Sequence, residues 1–432
     1  MQITDFYKIF IKYPKISTDT RTIEKGNIFF ALKGDNFDGN KYIKVANNSG
    51  ASYIVTDDLS NKDKKNCIYV SNSLSFLQDL AKYHRKQLTI PIIAITGTNG
   101  KTTTKELTFQ VLKQKYNVKA TIGNFNNHIG VPLTLLSFNN KTEIGIVEMG
   151  ANHPKEIEFL CNIAKPNFGI ITNIGKAHLE GFGDFDGLIN TKAELYKAIL
   201  DNNGQVFIND DNKLLKSIIK NQRTISYGTK NNTFCIGELI SANPFVKFKI
   251  GENIIQSNLI GTYNFENLLA ASCVGKYFNI EIEKIKEALE NYIPTNNRSQ
   301  VIKKGSCNII LDAYNANPTS ISLAIDNFEN IDANKKVLIL GDMFELGEYA
   351  ETEHNTIIKK LSNIVHQNSE IRIFLAGKNF NKLNNNEKIT SFNTSEELIN
   401  HISKIEFNNT WFLVKGSRGM KLESVLENIN FS

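Results

Sequence analysis

Cysteine is scarce in this sequence, and no two cysteines stand close together. The 432 residues contain five, an odd number, and none forms a C-x-x-C pair. They are Cys67, Cys161, Cys235, Cys273 and Cys307. Scattered single thiols indicate a reducing compartment and argue against a structural zinc site, because such sites use closely spaced pairs.

Long apolar runs and clustered charges are also missing. No run approaches the roughly 18 apolar residues of a membrane span, and the first residues, MQITDFYKIF, carry Asp5 and Lys8 where a signal peptide has its apolar core. We therefore expect a cytoplasmic protein with no membrane span. The net charge is +6, with Lys and Arg spread along the chain. This pattern is typical of a solvated surface and predicts no nucleic-acid partner, although it suits small anionic substrates.

The length predicts several domains. Hydrophobic residues make up 41% and charged residues 22% of the chain, which is typical of a protein with real cores. A chain of 432 residues exceeds the size at which one core keeps growing, and no fixed-period repeat is present. We predict three α/β domains, at residues 1–88, 89–293 and 294–432. The first boundary falls in the charged stretch before Pro91, since proline disfavours helix in the preceding residue.

Strand-like apolar runs alternate with helix-length segments from residue 92 onward. In the central part the runs are IIAIT, EIGIVEM, FGIIT and GQVFIN, and after Pro294 they are CNIILDAY, KKVLILGD, IRIFLAG and TWFLVKGS. This alternation predicts a mostly parallel central sheet of the phosphate-loop type and a Rossmann-like last domain. Shorter runs between about 224 and 260, TISYG and FVKFKI, predict an antiparallel annex to the central sheet. Helical spacing returns in NFENLLAASCVGKYF and IEKIKEALENY.

The stretch TGTNGKTTTKE joins a predicted strand to a predicted helix. Gly97 and Gly100 let successive backbone N–H groups approach one anion, and the helix start adds its positive dipole end. In such a loop Lys101 reaches the β- and γ-phosphates and the Thr102 hydroxyl binds Mg²⁺. The usual G-x-x-x-x-G-K-[ST] pattern requires glycine where this sequence has Ile95. The predicted strand before the loop, the predicted helix after it and the Gly-Lys-Thr sequence favour phosphate binding over a chance glycine-rich turn.

Two further side chains follow later strands of the predicted sheet. Glu148 ends the run GIVEMG, and His178 lies in the loop NIGKAHLEGFG. Taken singly, a strand-end glutamate is equally compatible with a solvated position, and a loop histidine is more often polar surface. Beside a phosphate loop, the two together predict a site for a divalent metal.

Eight motifs in this order resemble the ATP-dependent Mur ligases of peptidoglycan synthesis, which share their core with folylpolyglutamate synthases. The motifs are GTNGKTTTKE, VEMGANHPKEI, TNIGKAHLEGFG, TKAELYKAI, GTYNFENLLAA, LDAYNANPTS, LGDMFELGE and VKGSRGM. The first is similar to the family's shortened phosphate loop. LDAYNANPTS and LGDMFELGE are most similar to the members that add D-alanyl-D-alanine. The D-N-P-R type motif that holds diaminopimelate in other members is absent.

The resemblance implies an ATP and Mg²⁺ site. The residues expected to contact ATP are Gly97, Thr98, Asn99, Gly100, Lys101, Thr102, Thr103, Asn264, Asn267, Arg298 and Asp312. The metal ligands are expected to be Thr102, Glu148 and His178. The residues expected to act in catalysis are Lys101, Glu148, His178, Lys192 and Arg298. Arg298 matches a γ-phosphate arginine, Asp312 a ribose-hydroxyl acceptor, and Lys192 a lysine that the family carbamylates. On residue chemistry alone, Lys192 is equally an exposed helix lysine, and Asn264 and Asn267 are equally helix N-caps.

The resemblance also implies binding sites for a UDP-muramoyl tripeptide and D-alanyl-D-alanine. The predicted substrate contacts are Thr18, Asp19, Thr20, Arg21, Asn126, Asn127, His128, Tyr314, Asn315 and Asn317. The first four offer hydroxyl, carboxylate and guanidinium groups suited to a uracil edge and a diphosphate. The asparagines near 126 are also compatible with a capped helix entry, and those near Pro318 with simple turn chemistry.

The implied reaction is amide formation through an acyl phosphate, in a monomer whose last domain closes over the central one. Two alternatives stay open on sequence grounds. One is a related ligase that adds a different amino acid to muramoyl peptide or extends folate with glutamate. The other is a nucleotide-binding switch that makes no bond. The sequence does not distinguish diaminopimelate from lysine as the third residue of the peptide.

Overall fold

Three main β-sheets organise the chain, one each in its first, central and last parts. The computed structural model describes residues 1–177, 179–219, 223–367 and 370–431, without the side chain of residue 179. Neighbouring strands in the main sheets run parallel, apart from one edge pair in the last sheet. The predicted α/β class with mostly parallel sheets is confirmed.

The first part contains a small sheet and three helices. Its elements are α1 (Ile3–Lys12), β1 (Ile16–Ser17), β2 (Ile28–Phe30), β3 (Lys33–Gly34), β4 (Phe37–Asp38), α2 (Ile43–Asn48), β5 (Tyr53–Thr56), β6 (Cys67–Tyr69) and α3 (Ser73–Gln87). The parallel sheet has the order β1-β2-β5-β6, and β3 pairs with β4 as a small antiparallel hairpin. Helix α1 is amphipathic: Phe6 and Phe10 are buried, and the ring of Phe6 packs edge-on against Phe76 of α3.

The central part is built on a seven-stranded parallel sheet. Its elements are β7 (Ile92–Thr96), α4 (Lys101–Leu112), β8 (Val118–Ala120), α5 (Gly130–Ser137), β9 (Ile144–Glu148), α6 (Glu156–Ala164), β10 (Phe168–Ile171), α7 (Leu179–Phe182), α8 (Phe185–Asp201), β11 (Gln205–Asn209), α9 (Lys213–Ile218), β12 (Thr224–Gly228) and β13 (Cys235–Ile236). The order is β13-β12-β11-β10-β7-β9-β8. Every residue of β7 and β9 is buried, which explains their continuous apolar runs.

A three-stranded antiparallel sheet follows the central sheet. It comprises β14 (Glu238–Ala242), β15 (Phe245–Ile250) and β16 (Asn253–Ile260), and it leads into α10 (Tyr263–Tyr277) and α11 (Ile282–Glu290). The predicted annex therefore exists, but its predicted start was wrong. The run TISYG is β12, which pairs in parallel with β11 inside the main sheet. A short apolar run carries no signal of its partner strand, and β12 returns through a helix to lie beside β11.

The last part carries a six-stranded sheet. Its elements are β17 (Gln300–Lys304), β18 (Cys307–Asp312), α12 (Pro318–Glu329), β19 (Lys335–Gly341), α13 (Ala350–Gln367), β20 (Ile371–Ala376), α14 (Lys378–Leu383), β21 (Ile389–Phe392), α15 (Ser395–Ile402), β22 (Glu406–Phe407), β23 (Thr410–Lys415), α16 (Val425–Asn428) and β24 (Asn430–Phe431). The order is β17-β18-β23-β19-β20-β21, with β17 alone antiparallel. The four predicted strands of this part are confirmed as β18, β19, β20 and β23.

The first and central parts share one hydrophobic core. A continuous cluster of buried side chains runs from Phe6 on α1 to Leu135 on α5 and Leu160 on α6. Polar contacts cross the same junction, since Arg85 Nε donates to the Ala164 carbonyl at 2.9 Å. None of the helices in the described residues has an apolar stretch long enough to cross a membrane. All five cysteines carry free thiols.

Candidate active site

One cavity of about 1280 Å³ lies where the carboxyl ends of the central strands face those of the last sheet. Eighteen of the predicted site residues line it: Gly97, Thr98, Asn99, Gly100, Lys101, Thr103, Asn126, Asn127, His128, Glu148, Lys192, Asn264, Asn267, Arg298, Asp312, Tyr314, Asn315 and Asn317. Ligands of parallel α/β sheets bind at this edge of the strands. The cavity is therefore the candidate active site.

The phosphate loop connects β7 to α4 in the geometry that an anion requires. Gly97 and Gly100 have φ of 144° and 77°, which side chains with a Cβ rarely adopt. A Cβ on Gly97 would lie 2.0 Å from Thr172 Oγ1, and one on Gly100 would lie 2.5 Å from Asn267 Oδ1. Both glycines are therefore required by close packing as well as by backbone conformation.

Lys101 is the first residue of α4, and its ammonium lies within the loop. Its Nζ donates to the carbonyls of Gly97 and Thr98 at 2.8 and 2.9 Å. Burial lowers the pKa of Lys101 to about 8, while nearby Glu148 acts to raise it and Arg298 to lower it. The amine is therefore still mostly protonated at neutral pH, with an acid and a second cation close by.

Glu148 ends β9 as a fully buried carboxylate. Its Oε1 accepts from Asn126 Nδ2 at 2.8 Å, whereas its buried Oε2 has no hydrogen-bond partner among the described residues. A buried carboxylate oxygen without a partner is costly unless a cation or ligand binds it. The described residues contain no cluster of three or more carboxylate, imidazole or thiolate groups that could hold a metal ion alone. His178, the second predicted metal ligand, lies outside them.

Lys192 lies on α8 and is buried, with only 2% of its surface exposed. The interpretation as an exposed helix lysine is therefore wrong. Burial lowers the pKa of Lys192 to about 7, nearby Lys101 lowers it further, and Glu156 and Glu194 oppose the shift. Its Nζ lies 5.6 Å from the centre of the Phe182 ring. A large fraction of this amine is therefore neutral near pH 7.

Asn264 and Asn267 lie inside the first turns of α10 rather than at its N-cap, which is Thr262. Asn267 Nδ2 donates to Asn264 Oδ1 at 2.9 Å, and Asn267 Oδ1 accepts from Thr104 Oγ1 at 3.1 Å. The interpretation of the two asparagines as N-caps is therefore wrong. They fasten α10 to the helix that follows the phosphate loop.

On the opposite wall, Asp312 ends β18 and is paired with Lys415. Lys415 Nζ lies 2.5 Å from Asp312 Oδ2, and the backbone N–H of Ser299 donates to Oδ1 at 3.1 Å. The guanidinium of Arg298 stacks 3.7 Å above the ring of Tyr314. Its buried Nε has no partner in the part of the chain that the structure describes, so this cation retains a donor for an anion.

The two walls meet through a pair of amides. Asn317 Nδ2 donates to Asn99 Oδ1 at 2.8 Å, so α12 contacts the phosphate loop directly. Asn317 is also the N-cap of α12: its Oδ1 accepts from Ser320 N–H at 2.8 Å, and the Ser320 hydroxyl closes a capping box. Asn317 therefore has both of its predicted roles: its side chain bonds the local backbone, and it lines the cavity.

The remaining predicted residues have mixed placements. Asn127 lies two residues before the N-cap of α5, and its Oδ1 accepts from the N–H groups of Ile129 and Gly130 at the start of that helix. Thr102 is buried at the start of α4 and does not line the cavity.

The four predicted substrate residues of the first part, Thr18, Asp19, Thr20 and Arg21, do not line the cavity either. There Asp19 pairs with Arg21, whose side chain is 88% exposed. The guanidinium lowers the pKa of the Asp19 carboxyl.

Several cavity residues were missed at the sequence level. Asn209 ends β11 and Asp211 follows it, at the same sheet edge as Glu148, and Glu266 lies on the first turn of α10. Burial raises the pKa of Glu266, nearby Asp211 adds to the shift, and a hydrogen bond from Asn209 opposes it. The position of Asn209 at a strand end is the signal that could have found this group.

The last part adds further missed residues: Phe344, Lys415, Ser417, Arg418 and Gly419. The motifs LGDMFELGE and VKGSRGM contain all of them, but no residue of these motifs was given a role. Both motifs follow strands that are neighbours in the sheet, β19 and β23. That adjacency is not visible along the chain.

Comparison with family models matches three parts of the chain. Residues 12–93 match the model described as "Mur ligase family, catalytic domain", residues 95–275 the "Mur ligase middle domain", and residues 297–418 the "Mur ligase, glutamate ligase domain". Together these models cover most of the chain and every strand of its three main sheets, except for Ala94 in β7.

Individual relatives are similar over nearly the whole length. The UDP-N-acetylmuramoyl-tripeptide–D-alanyl-D-alanine ligase of Bacillus subtilis is 33% identical over 431 residues, covering 96% of this chain and 92% of the relative. Among solved structures, MurF from Acinetobacter baumannii is similar with a TM-score of 0.84 and 29% identity, covering 96% and 93% of the two chains. MurF from Thermotoga maritima in complex with ADP has a TM-score of 0.81 and 26% identity, covering 96% of each chain.

Proposed function

Because this chain belongs to the Mur ligase family, we propose that it uses ATP to join D-alanyl-D-alanine to the terminal carboxylate of UDP-N-acetylmuramoyl-tripeptide. The product is the UDP-muramoyl pentapeptide of peptidoglycan synthesis. One observation carries the proposal: relatives named for this reaction are similar along 96% of the chain, so both walls of the cavity fall within the similarity.

ATP is the nucleotide that the site suits. A relative of 26% identity binds ADP, and the phosphate loop here presents Gly97, Gly100 and Lys101 to the cavity. In the proposed first step an oxygen of the tripeptide carboxylate attacks the γ-phosphorus, and ADP leaves with the bond electrons. Lys101 and Arg298 stabilise the charge on the transferred group, since phosphoryl transfer depends mainly on positioning and electrostatics.

The acyl phosphate made in this way is an activated carboxylate. The amine of D-alanyl-D-alanine attacks its carbonyl carbon, the C–O bond to phosphate breaks, and the nitrogen loses a proton. A site that water enters freely would hydrolyse the intermediate. The position of the cavity between two sheets supports the proposal, because both walls must be in contact for water to be kept out.

We assign a magnesium ion to the cavity on the chemistry of its donors. The unpartnered Oε2 of Glu148 is the kind of hard oxygen that Mg²⁺ prefers, and Thr102 is the second residue of α4, the helix that follows the phosphate loop. His178 is the third ligand that the sequence predicts. When bound, the ion neutralises phosphate oxygens during transfer.

We propose that the neutral amine of Lys192 is carbamylated. Only an unprotonated amine reacts with carbon dioxide, and burial brings the pKa of Lys192 to about 7. The nitrogen attacks the carbon of carbon dioxide and loses a proton to solvent, so a neutral amine becomes a carbamate anion close to Lys101. It therefore supplies an extra oxygen ligand on the metal side of the cavity.

The substrate contacts also remain proposals. Thr18, Asp19, Thr20 and Arg21 are assigned to the uridine nucleotide, and Asn126, Asn127 and His128 to the muramoyl-peptide end. Tyr314, Asn315 and Asn317 are assigned to nucleotide or dipeptide. An exposed Arg21 supports the first assignment, because its guanidinium is accessible to a diphosphate.

We propose the domain division 1–88, 89–293 and 294–432. Each segment carries one of the three main sheets, and the helix α3 ends at Gln87, just before the first boundary. We also propose a cytoplasmic monomer, because residues of the central and last parts of the same chain form both walls of the cavity and two of the three proposed substrates are nucleotides.

The test measures inorganic phosphate released from ATP and UDP-N-acetylmuramoyl-tripeptide, with and without D-alanyl-D-alanine. We expect release to depend on the dipeptide and the pentapeptide product to form in equal amount. Parallel assays offer other amino acids, and glutamate with a folate. Release that follows one of those acceptors instead would favour the related-ligase alternative, and release that needs no acceptor would contradict bond formation.

A further inference from the structure

The helix that follows the phosphate loop carries a deeply buried lysine. Lys105 stands one helical turn after Lys101, and only 1% of its surface is exposed. Its Nζ donates to the Thr121 carbonyl at 2.7 Å and lies 2.8 Å from Glu106 Oε1. The ammonium is therefore held by one carbonyl and one carboxylate, in a place that a methionine would fill without the cost of burying a charge.

Thr121 connects Lys105 to Glu148. Thr121 is buried directly after β8, and its N–H donates to the Ile146 carbonyl at 3.0 Å, which extends the pairing of β8 with β9 by one residue. The Glu148 N–H then donates to Thr121 Oγ1 at 2.9 Å, while the Thr121 carbonyl accepts from Lys105. The carbonyl of Thr121 is thus directed to α4 and its hydroxyl to Glu148.

The loop that begins at Thr121 holds Glu148 a second time. Asn126 Nδ2 donates to Glu148 Oε1 at 2.8 Å, and the Asn126 carbonyl accepts from the Gly150 N–H at 2.8 Å. A Cβ on Gly150 would lie 2.9 Å from Asn126 Oδ1, so the loop packs directly on the backbone that follows β9. Because the N–H and Oε1 of Glu148 are both held by this loop, Oε2 is the oxygen that remains for a metal ion.

Helix α4 joins the support of Glu148 to the phosphate loop. The helix begins at Lys101, whose ammonium lies within the loop, and Lys105 reaches Thr121 from the next turn. Thr104, between them, fastens the helix to Asn267 Oδ1 at 3.1 Å. One rigid element therefore fixes both the phosphate-binding cation and the start of the loop that holds Glu148, and sites that act on phosphate require such fixed distances.

We infer that Lys105 is a positioning residue for Glu148, which it holds through Thr121 so that Oε2 is presented to the metal ion. This inference rests on the proposed magnesium site. Lys105 does not line the cavity and so does not contact substrate itself. Groups that orient a ligating carboxylate typically change metal affinity or activity by about 10- to 100-fold when they are removed.

The principal test measures binding of a non-hydrolysable ATP analogue by titration calorimetry, with Mg²⁺ and with a chelator in its place. We expect Mg²⁺ to tighten binding to wild type. In Lys105→Met the Kd in Mg²⁺ should rise by about tenfold, the lower end of the range for such supporting groups. The Kd in chelator should stay within about twofold of wild type, because Lys101 and the glycines of the loop are unchanged.

Lys336→Met is the matched control. Lys336 lies on β19, is 6% exposed, and its Nζ donates to the Glu329 carbonyl at 2.7 Å. It does not line the cavity. This variant also removes a buried ammonium from a backbone carbonyl, so we expect it to lose stability and to keep the wild-type response to Mg²⁺. Melting curves establish that each variant is folded. If Lys105→Met does not fold, Lys105→Gln, which has a shorter neutral donor, is measured instead and should shift the Kd in the same direction.

Two variants of Thr121 test the second contact. Thr121→Val removes the hydroxyl that accepts from the Glu148 N–H and keeps the carbonyl that accepts from Lys105, whereas Thr121→Ser keeps both. We expect Thr121→Val to raise the Kd in Mg²⁺ by about tenfold and Thr121→Ser to stay within about threefold of wild type. Because Lys105 acts through Thr121, the double variant Lys105→Met/Thr121→Val should show a smaller effect than the product of the two single effects.

The outcomes separate this inference from the proposal on which it rests. If Mg²⁺ does not tighten binding in wild type, the proposed magnesium site is wrong and the role of Lys105 falls with it. If wild type responds to Mg²⁺ and Lys105→Met responds equally, Lys105 only stabilises the fold and the inference alone is wrong. Equal losses in Lys105→Met and Lys336→Met would also contradict it. None of these measurements uses the dipeptide, so the proposed reaction is tested separately by formation of the pentapeptide.

Discussion

A buried lysine costs stability, and Lys192 is a clear example at the scale of single residues. Its pKa falls from 10.5 to about 7. Below pH 7 the amine is charged in both folded and unfolded states, and the full penalty of burial applies. Between pH 7 and 10.5 the folded state releases its proton first, so the penalty shrinks as the pH rises.

We therefore expect Lys192→Met to be more stable than wild type and inactive as a ligase. The gain in free energy of unfolding should be about 5 kcal/mol at pH 6 and about 2 kcal/mol at pH 9, because a tenfold change in proton affinity corresponds to about 1.4 kcal/mol. Urea unfolding in bicarbonate-free buffer measures it. Lys197→Met, on the exposed face of the same helix, provides the control. A variant whose gain is the same at both pH values would contradict the lowered pKa.

The residues that could be recognised from the sequence are those whose roles are indicated by the residues next to them in the chain. Lys101 follows two glycines and could be predicted from its neighbours, and Asp312 was expected from the resemblance of the motif LDAYNANPTS to the family. Lys415 could not be predicted, because its role depends on its parallel register with Asp312 across β18 and β23. Phe344 was passed over for a related reason: an apolar residue after a strand is usually core, and only the structure shows that this one is exposed at the cavity.

At the scale of elements, α12 depends on a residue with two functions. Asn317 caps the helix and also donates to Asn99 of the phosphate loop. We expect Asn317→Ala to lose both contacts and to lower the free energy of unfolding by about 1 kcal/mol, as for other N-cap losses. Asn317→Ser keeps a capping hydroxyl and should recover most of that stability.

The same pair of variants separates capping from nucleotide binding. Serine is too short to reproduce the amide contact, so the KM for ATP should rise in both variants by a similar factor. Chemical denaturation measures the free energy of unfolding, and steady-state kinetics measure the KM for ATP. An ATP KM that recovers together with stability in Asn317→Ser would mean that the amide pair has no effect on the loop.

The positions of strands along the chain could be predicted better than the strands with which they pair in the sheet. Ile92–Thr96 and Lys335–Gly341 are buried on both faces and therefore appear as continuous apolar runs. The partner of Thr224–Gly228 could not be read in this way, since pairing is decided by the helix that returns the chain. For this reason the run TISYG was wrongly assigned to the antiparallel annex.

At the scale of the whole molecule, the candidate site exists only where two sheets face each other. Besides the amide pair, Lys176 Nζ contacts Glu353 Oε1 at 2.7 Å, and the Lys176 backbone N–H donates to Thr319 Oγ1 at 3.0 Å. Glu353 is buried, so its carboxylate depends on this cation. Among the described residues the junction has such polar contacts and a shared apolar core less extensive than that between the first and central parts, which suits a junction that opens and closes.

We expect substrate to strengthen this junction, because phosphate groups bound to Lys101 and Arg298 attract both walls at once. Small-angle scattering should give a radius of gyration on the order of 1 Å smaller with an ATP analogue and UDP-tripeptide than without them. Lys176→Met leaves the Glu353 carboxylate unpaired, so its ligand-free form should be more open than wild type while its liganded form is unchanged. Lys82→Met removes an exposed lysine paired within a single helix and should behave as wild type. Identical profiles with and without ligands, in wild type and in Lys176→Met alike, would mean that the two walls form one rigid body and that water is excluded without closure.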